Sequence, residues 1–357
     1  MNDRLRLADP VAAPDPQWRA AFADLIAWLG VTVDPVAAGR PAALCKLADW
    51  RRGAAGADRA VRFMPWQAIS PVALQQASAA PLPHAQWIAS YLFDHSVGGG
   101  RVHRKPLDLM LISPRPAACA ADEAGAPALP RPALIQAMIR AARAEGRSRI
   151  AIIVPAALRN GFARQLLAGG RAFARAGLEL DIIAIEQALG ALTLERPAWD
   201  ALIVMPRLRG IVFALLAEAS AIRAPWPMLW HGSRGVELVT SEALCEAGAR
   251  LPLDAPVLVQ SLAITLHHAG MTAAARHLHE ACVRLRDKGV VTPSRGSCAP
   301  YANTHSDAQF ISLICAGMGI GSRPVPRWRA LGEGPAGRAS AAPVRLNLVA
   351  ANPSPQS

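Results

Sequence analysis

Lysine and tyrosine are scarce in this sequence of 357 residues. The only lysines are Lys46, Lys105 and Lys288, and the only tyrosines are Tyr91 and Tyr301. Both residue types serve as proton-transfer groups in active sites. Any chemistry that depends on either one is therefore confined to these few positions.

The sequence also lacks the cysteine and histidine spacings that are typical of metal sites. Its six cysteines are scattered, with no Cys-X-X-Cys pair, which predicts reduced and mostly buried thiols. His267 and His268 are adjacent, and His277 and His279 are two residues apart, so neither pair converges on one side of a helix. We therefore expect no metal site.

Long apolar runs are absent as well. The most apolar stretches, Gly210–Ile222 and Ala255–Met271, are short for a membrane span and are interrupted by polar residues. The first residues, MNDRLRLADP, have no apolar core of the length that a signal peptide needs. From the sequence we expect a cytoplasmic protein that makes no contact with a membrane.

The charge is strongly unbalanced: the net charge is +12 and the pI is about 10.6. A net positive charge of this size permits binding to nucleic acid. However, the arginines are spread along the chain, without the dense basic run and interleaved aromatics of a single-strand binding groove. We keep nucleic-acid binding as an alternative and do not favour it.

What the sequence does have is a large apolar fraction, 52% against 18% charged residues, which predicts a folded protein with a substantial core. Short β-branched runs that predict strands alternate with longer segments of helical periodicity. This alternation predicts an α/β fold with a mostly parallel sheet. The predicted strands are Leu107–Ile112, Ile150–Val154, Leu180–Ile185 and Ala201–Met205; the predicted helices are Trp18–Leu29, Pro132–Glu145, Ala156–Gly177, Gly210–Ile222, Pro256–His268 and Thr272–Lys288.

Several short motifs follow one another in the C-terminal half. Trp199–Pro206 (WDALIVMP) leads into Arg207–Ala217 (RLRGIVFALLA), and His231-Gly232-Ser233, Asp254–Pro256 (DAP) and Gly289–Pro293 (GVVTP) come later. In their order and spacing these segments resemble the β-decarboxylating dehydrogenases of isocitrate and 3-isopropylmalate. The first 85 or so residues match that family poorly, and its Gly-Asp-Gly-Ile-Gly-Pro-Glu opening is missing.

The resemblance implies a two-lobed α/β fold of the isopropylmalate dehydrogenase type, with discontinuous lobes. We expect residues 1–105 and 217–321 to form the large lobe and residues 106–216 to form the small lobe. Residues 322–357 are rich in Pro, Ala, Gly and Arg and lack periodicity, so they are predicted to be a flexible tail.

The reaction of that family is hydride transfer to a nicotinamide followed by loss of CO2, and this chain lacks the residues that the resemblance assigns to it. The two metal-binding aspartates correspond to Ile211 and Leu215, and no carboxylate lies between Asp200 and Glu218. No lysine lies between Lys105 and Lys288 to take the place of the catalytic lysine. We therefore predict no catalytic residues and no metal ligands, and expect Ile211 and Leu215 to be buried.

The other active-site groups are equally incomplete. Neither tyrosine lies in the segment directly after Ile112, where the resemblance places the catalytic tyrosine of the family. The substrate-binding arginines are reduced to Arg115, after Ser113-Pro114, and to Arg101, whose match is weak and which is more simply a solvated arginine.

The dinucleotide site is the part of the family pattern for which this sequence retains the most matching residues. His231, Gly232 and Ser233 match the start of the adenine-binding loop, whereas the asparagine that would read adenine is replaced by Ala255. A binding site that has lost a hydrogen-bonding side chain for its ligand binds that ligand much more weakly. We expect no cofactor, and NAD bound at His231, Gly232 and Ser233 is the alternative left open.

The favoured hypothesis is a catalytically inactive relative that acts as a partner or regulatory subunit, or as a protein-binding module. An NAD-dependent oxidoreductase of a 2-hydroxy acid that uses residues foreign to the family is the second. Candidates for such residues, His231, Asp254, Arg207, Arg209 and His305, form no recognisable acid–base set.

The resemblance also implies an assembly, either a homodimer or a hetero-oligomer with an active relative. The β arm that clasps the partner in the family would lie within Ser113–Arg131, a stretch too poor in β-branched residues to form a strand pair. We expect the clasp to be missing, with helices 156–176 and 210–222, and Phe213 in particular, at the interface.

Overall fold

The structure of the protein is a computed structural model. It describes residues 4–8, 15–36, 60–75, 85–94, 107–119, 129–168, 178–194, 197–222, 224–233, 235–246, 249–295, 301–321, 324–332 and 345–348. No helix within these ranges combines the length and the apolar character needed to cross a membrane.

In these ranges the strands are β1 Arg4–Ala8, β2 Thr32–Val36, β3 Val61–Ile69, β4 Trp87–Asp94, β5 Leu107–Pro114, β6 Arg149–Val154, β7 Glu179–Ala184, β8 Ala201–Val204, β9 Trp226–Gly232, β10 Gly235–Glu242, β11 Val290–Val291, β12 Asn303–Thr304 and β13 Arg345–Leu348. The α-helices are α1 Pro16–Leu29, α2 Pro132–Ala144, α3 Arg159–Ala168, α4 Ile185–Leu192, α5 Arg209–Ala219, α6 Ala255–His268, α7 Thr272–Asp287 and α8 Asp307–Cys315.

One mixed sheet organises the described part of the chain. It has 11 strands in the order β13-β7-β6-β8-β5-β4-β9-β10-β3-β1-β2. The pairs β5–β4, β4–β9 and β9–β10 are antiparallel, and the other pairs are parallel. Strands β11 and β12 form a separate parallel pair.

The sheet order divides the molecule into two halves. Half A contains β5–β8 and β13 with α2–α5, and half B contains β1–β4, β9 and β10 with α1 and α6–α8. Half B is built from two separate stretches of chain, because β9 and β10 return to pair with β4 and β3. This agrees with the discontinuous two-lobed α/β fold predicted from the resemblance, and the residue limits of the lobes stay a prediction.

Helices cover both faces of the sheet. One extensive core joins α1, α2, α3, α6, α7 and α8 to one face. A second core on the opposite face packs α4 and α5 against half A and against Trp226 of β9. The predicted helices and strands from Leu107 onwards occur within a few residues of their expected limits, except for the predicted helix Ala156–Gly177. Its observed part is the 3₁₀ turn Ala156–Leu158 and α3, Arg159–Ala168, and residues 169–177 lie outside the described residues.

Two strands in the N-terminal region contain proline and were not predicted. Pro35 lies in β2, an edge strand, where a missing N–H costs no ladder bond. Pro65 lies in β3, between Phe63 and Ala68, where the register with β10 shifts. A bulge of this kind tolerates proline inside a sheet.

The expectation of a flexible tail from residue 322 is wrong for its two described stretches. Trp328 is only 1% exposed and belongs to the main core, with Ala330 and Leu331. Arg345–Leu348 adds β13 to the edge of the sheet beside β7. Neither ordered segment could be predicted from composition or periodicity, because contacts with distant parts of the chain hold these short segments in place.

A buried ion pair connects the two halves. Arg209, the first residue of α5, donates from Nε and Nη2 to the Glu242 carboxylate at the end of β10, at 2.8 and 2.6 Å. Its Nη2 also donates to Ser90 of β4 at 2.8 Å, and Ser90 donates to Glu242. All three side chains are buried, with at most 1% exposure. A charge in such surroundings is stable only when paired, so this cluster fixes the start of α5 relative to β10.

A second buried arginine binds the amino ends of the half A strands together. Arg147 donates to the Asp108 side chain at 2.9 Å and to the Asp200 carbonyl at 2.8 Å. It also pairs with Glu145, which accepts a hydrogen bond from Tyr91 of β4 at 2.8 Å. Burial, followed by the charge of Glu145, raises the pKa of Tyr91, so this tyrosine stays a neutral structural donor.

Candidate functional site

The positions that match catalytic segments of the family converge at one edge of the sheet. Strands β5, β6 and β8 are parallel neighbours, so their carboxyl ends lie side by side. These ends lead into Ser113–Arg115, Pro155–Leu158 and Pro206–Leu208. Ligands of open α/β sheets bind at such an edge. We refer to it as the carboxyl edge.

Of the two arginines in these three segments, Arg207 is exposed and Arg115 is used internally. Arg115 is buried, and its guanidinium lies 5.6 Å from the ring centroid of Trp230 on β9. Its Nη1 donates to the Ala85 carbonyl at 3.5 Å, and burial lowers its pKa. The neighbouring Ser113 hydroxyl donates to the Val204 carbonyl at 2.8 Å. Both side chains therefore bind their own fold at the position where the family holds substrate carboxylates.

The predicted catalytic lysine position is occupied by apolar residues. The chain after β6 forms a 3₁₀ turn at Ala156–Leu158, and α3 begins at Arg159. Arg159 donates to Gln187 at 3.0 Å. The hydroxyl of Tyr91 does not point to this edge. It donates to Glu145, near the amino ends of the half A strands. Arg101 lies outside the described residues.

The predicted metal positions differ from expectation. Ile211 is 52% exposed and Leu215 is half-buried, so the expectation that both are buried is wrong. The reason is the helical phase of α5, which turns Val212, Phe213 and Leu216 towards the core. Among the described residues, no group of three or more His, Cys, Asp or Glu is arranged to hold a metal ion.

His231, a predicted cofactor-binding residue, lies inside the protein at the end of β9. Its ring stacks on Trp87 with a centroid distance of 3.6 Å and an interplanar angle of 5°. His268, at the end of α6, lies 6.2 Å away. The ring of His231 is buried, and its Nε2 has no hydrogen-bond partner among the described residues. One face of the ring is covered by indole, and burial leaves little of the ring accessible for stacking on adenine.

Gly232 and Ser233 lead into the tight β9–β10 hairpin, in which Gly232 pairs with Gly235. A Cβ at position 232 would collide with the carboxylate of Glu237. The carboxylate is the movable end of a partly exposed side chain from the next strand, so Gly232 contacts its own hairpin without being strictly required there.

The structure does not bring the two parts of the predicted adenine site together. Ala255 opens α6, whereas His231 lies beside His268 at the opposite end of the same helix. Ala255 and His268 are thirteen residues apart along the helix, which corresponds to a distance of about 20 Å. The first N–H groups of α6 are also occupied: Asp307 accepts from Ala255 at 2.6 Å, and Asp254 accepts from Val257 at 2.9 Å.

The remaining candidates are dispersed. Arg207 is exposed, Arg209 is buried with Glu242, Asp254 caps α6, and His305 is half-buried near β12. Sequence reasoning named Arg209 but missed its partner. The signal was present in the sequence, because Glu242 ends an otherwise uncharged stretch, Leu238–Ser241, which predicts a buried carboxylate that needs a cation.

Of the two expectations about assembly, the one for Phe213 changes. Phe213 is 1% exposed and packs on Trp226 at a centroid distance of 4.6 Å, so it is a core residue and not an interface residue. In the segment expected to lack the clasp, Cys119 and Pro130 form an isolated antiparallel bridge. Residues 120–128 lie outside the described residues, so the absence of the clasp stays a prediction.

The buried histidines predict a loss of stability in acid. Burial, with a contribution from His268, lowers the pKa of His231 well below 6.5, and burial lowers the pKa of His268 to about 4. The unfolded chain takes up these protons at about pH 6.5 and the folded chain does not. Stability is therefore complete above that pH, and we expect the free energy of unfolding to fall as the pH decreases from 6.5 towards 4.

The His231→Phe variant, which retains an aromatic ring on Trp87, should lose less stability over this range than the wild type. Asp307, whose pKa is raised by burial to about 6, acts in the opposite direction and cancels in the difference between the two proteins. The measurement is urea unfolding of both proteins at several pH values. Parallel curves for the two would contradict this assignment.

Comparisons with known proteins support the fold. No protein-family model matches this chain. No curated protein matches it either. Among solved structures, the TT0538 protein from Thermus thermophilus is similar with a TM-score of 0.56 and 16% identity, over 96% of this chain and 72% of that one. An isocitrate dehydrogenase from Methylococcus capsulatus is similar with a TM-score of 0.54 and 16% identity, over 88% of this chain and 98% of that one. The chain therefore has an isocitrate dehydrogenase-like α/β fold.

Proposed function

We propose that this protein is a catalytically inactive member of the isocitrate and isopropylmalate dehydrogenase group that acts by binding another subunit. The observation that carries the proposal is the internal use of the carboxyl edge. Arg115 binds Trp230 and the Ala85 carbonyl, and the position of the catalytic lysine is apolar. Oxidation and decarboxylation of a 2-hydroxy acid need a proton-transfer group and carboxylate-binding arginines at this edge.

The electrostatics of the first turn of α6 also oppose nucleotide binding. A helix N-terminus attracts an anion through its free N–H groups and its dipole. Here Asp254 and Asp307 supply two carboxylates to those groups. A dinucleotide would have to displace them and overcome their negative charge, which supports a protein without NAD.

The direct test is calorimetric titration with NAD⁺, NADH, and Mg²⁺ or Mn²⁺ together with a 2-hydroxy acid. We expect no saturable binding with a dissociation constant below about 1 mM, which corresponds to about 4 kcal/mol. Turnover with NAD⁺ should be undetectable. Micromolar binding of nucleotide accompanied by turnover would instead support the divergent oxidoreductase.

The outer side of α5 offers a surface for another subunit. Ile211, Ala214 and Leu215 follow one another at helical spacing, and Glu218 continues the row. Ile211 is 52% exposed, and Leu189 on the adjacent α4 is 40% exposed. We call this row with Leu189 the α4–α5 surface. It replaces Phe213 as the proposed contact.

The partner that we propose for the α4–α5 surface is a second copy of this chain or an active relative with the same fold. An aliphatic helix face fits a matching aliphatic helix face, and an interface of standard size needs about 800 Å² from each subunit. In such an assembly an inactive subunit affects its neighbour by contact alone.

The Ile211→Asp variant tests this surface. A carboxylate in an apolar interface loses its water, so the variant should shift the mass in solution from dimer to monomer while the unfolding temperature stays nearly unchanged. The measurement is light scattering coupled to size-exclusion chromatography. Ile320→Asp is the matched control, because Ile320 is 63% exposed and lies after α8.

A dimer that persists in Ile211→Asp would place the interface elsewhere. If the wild type is a monomer, the same variant is to be tested for binding to an active relative encoded nearby. Equal binding by the wild type and the variant would then overturn the proposed surface.

A further inference from the structure

The segment Pro324–Gly332 crosses the face of the sheet that carries α6 and α7. It contains a single 3₁₀ turn, Arg329–Leu331, and ends at Gly332 with φ +70°. Despite this irregular backbone, Trp328, Ala330 and Leu331 are among the most buried side chains of the described chain. We call this segment the brace.

The brace is attached to half B through aromatic and histidine contacts. The ring of Trp328 lies 5.4 Å from Phe93 of β4 and 5.6 Å from His279 of α7. His279 Nε2 lies 3.1 Å from the Pro326 carbonyl. At the other end, a Cβ on Gly332 would come within 2.7 Å of the His267 ring, so only glycine fits against the last turn of α6.

The same segment is attached to half A through charged groups. The Arg329 N–H donates to the Asp108 carboxylate of β5 at 2.9 Å. The Arg329 guanidinium lies 3.5 Å from the carboxylate of Asp200, which precedes β8. Both aspartates are also held by Arg147, so the brace is bound to the rigid amino ends of half A.

We propose that the brace fixes the angle between the two halves. Within the described part of the sheet, half A and half B share only the β4–β5 pairing, and the Arg209–Glu242 pair links them on the opposite face. On the α6–α7 face the Tyr91–Glu145 hydrogen bond and the shared core join the halves, and the brace adds a link that reaches from α6 and α7 to the amino ends of half A. With both faces linked, the carboxyl edge has one fixed width and does not open and close around a ligand. This inference is independent of the proposed function.

The test is a distance measurement between the halves by pulsed electron paramagnetic resonance. Spin labels are attached through an unnatural amino acid at Asp24 of α1 and Arg140 of α2, two exposed positions in half B and half A. We expect one narrow distance distribution in the wild type. Trp328→Ala should broaden that distribution at least twofold.

Arg329→Pro is a second variant that leaves the aromatic contacts in place. Trp328 has φ −104° and ψ 118°, a conformation that the residue before proline adopts readily, and Arg329 opens the 3₁₀ turn. The substitution therefore removes the N–H bound to Asp108 and the charge near Asp200 with little strain. It should broaden the distribution as well.

Trp199→Ala is the matched control, because Trp199 is a nearly buried indole that donates to Asp181 within half A. It should lower stability and leave the distance distribution unchanged. A broad distribution in the wild type overturns the proposal. So does a distribution in Arg329→Pro as narrow as that of the wild type, even if Trp328→Ala does not fold.

Discussion

The ion pair between Arg209 and Glu242 sets the constraint on which the other features depend. Neither charge is accessible to water, and each has the other as its principal partner, with Ser90 completing the cluster. Removing charges from water is costly, so such a pair persists only when its geometry is maintained. The start of α5, the end of β10 and the middle of β4 are thereby held in one arrangement. The phase of α5 follows from it, with Phe213 inside and Ile211 outside.

This arrangement also accounts for the character of the carboxyl edge. An active site of the dehydrogenase type requires polar groups that can bind a substrate, and such groups lower stability when they are buried without a partner. In this protein Arg115, Ser113 and His231 contact the fold itself, and Gly232 is packed against Glu237. These side chains of the edge contribute to packing, while Ile211 is exposed on the outside of α5.

The sequence predicted strands β5–β8 and helices α2 and α5 of half A well, because their apolar runs have clear periods and are bounded by Pro and Gly. It missed α4 and β13. It failed where a contact distant in sequence decides the outcome. Pro65 is tolerated by a bulge, Trp328 is buried by residues of β4 and α7, and His231 is covered by Trp87. Likewise, the sequence of an apolar helix such as α5 does not predict which of its residues face outward, because that depends on the elements that pack against the helix.

A double-mutant cycle on Arg209 and Glu242 tests the central claim most directly. The variants are Arg209→Met, Glu242→Met and the double substitution, and the free energy of unfolding is measured by urea denaturation. Each single substitution should cost about 3–5 kcal/mol, because it leaves an unpaired buried charge. The double substitution should cost clearly less than the sum of the two, since it removes both charges. Single substitutions that each cost under about 1 kcal/mol, or costs that simply add, would contradict the account.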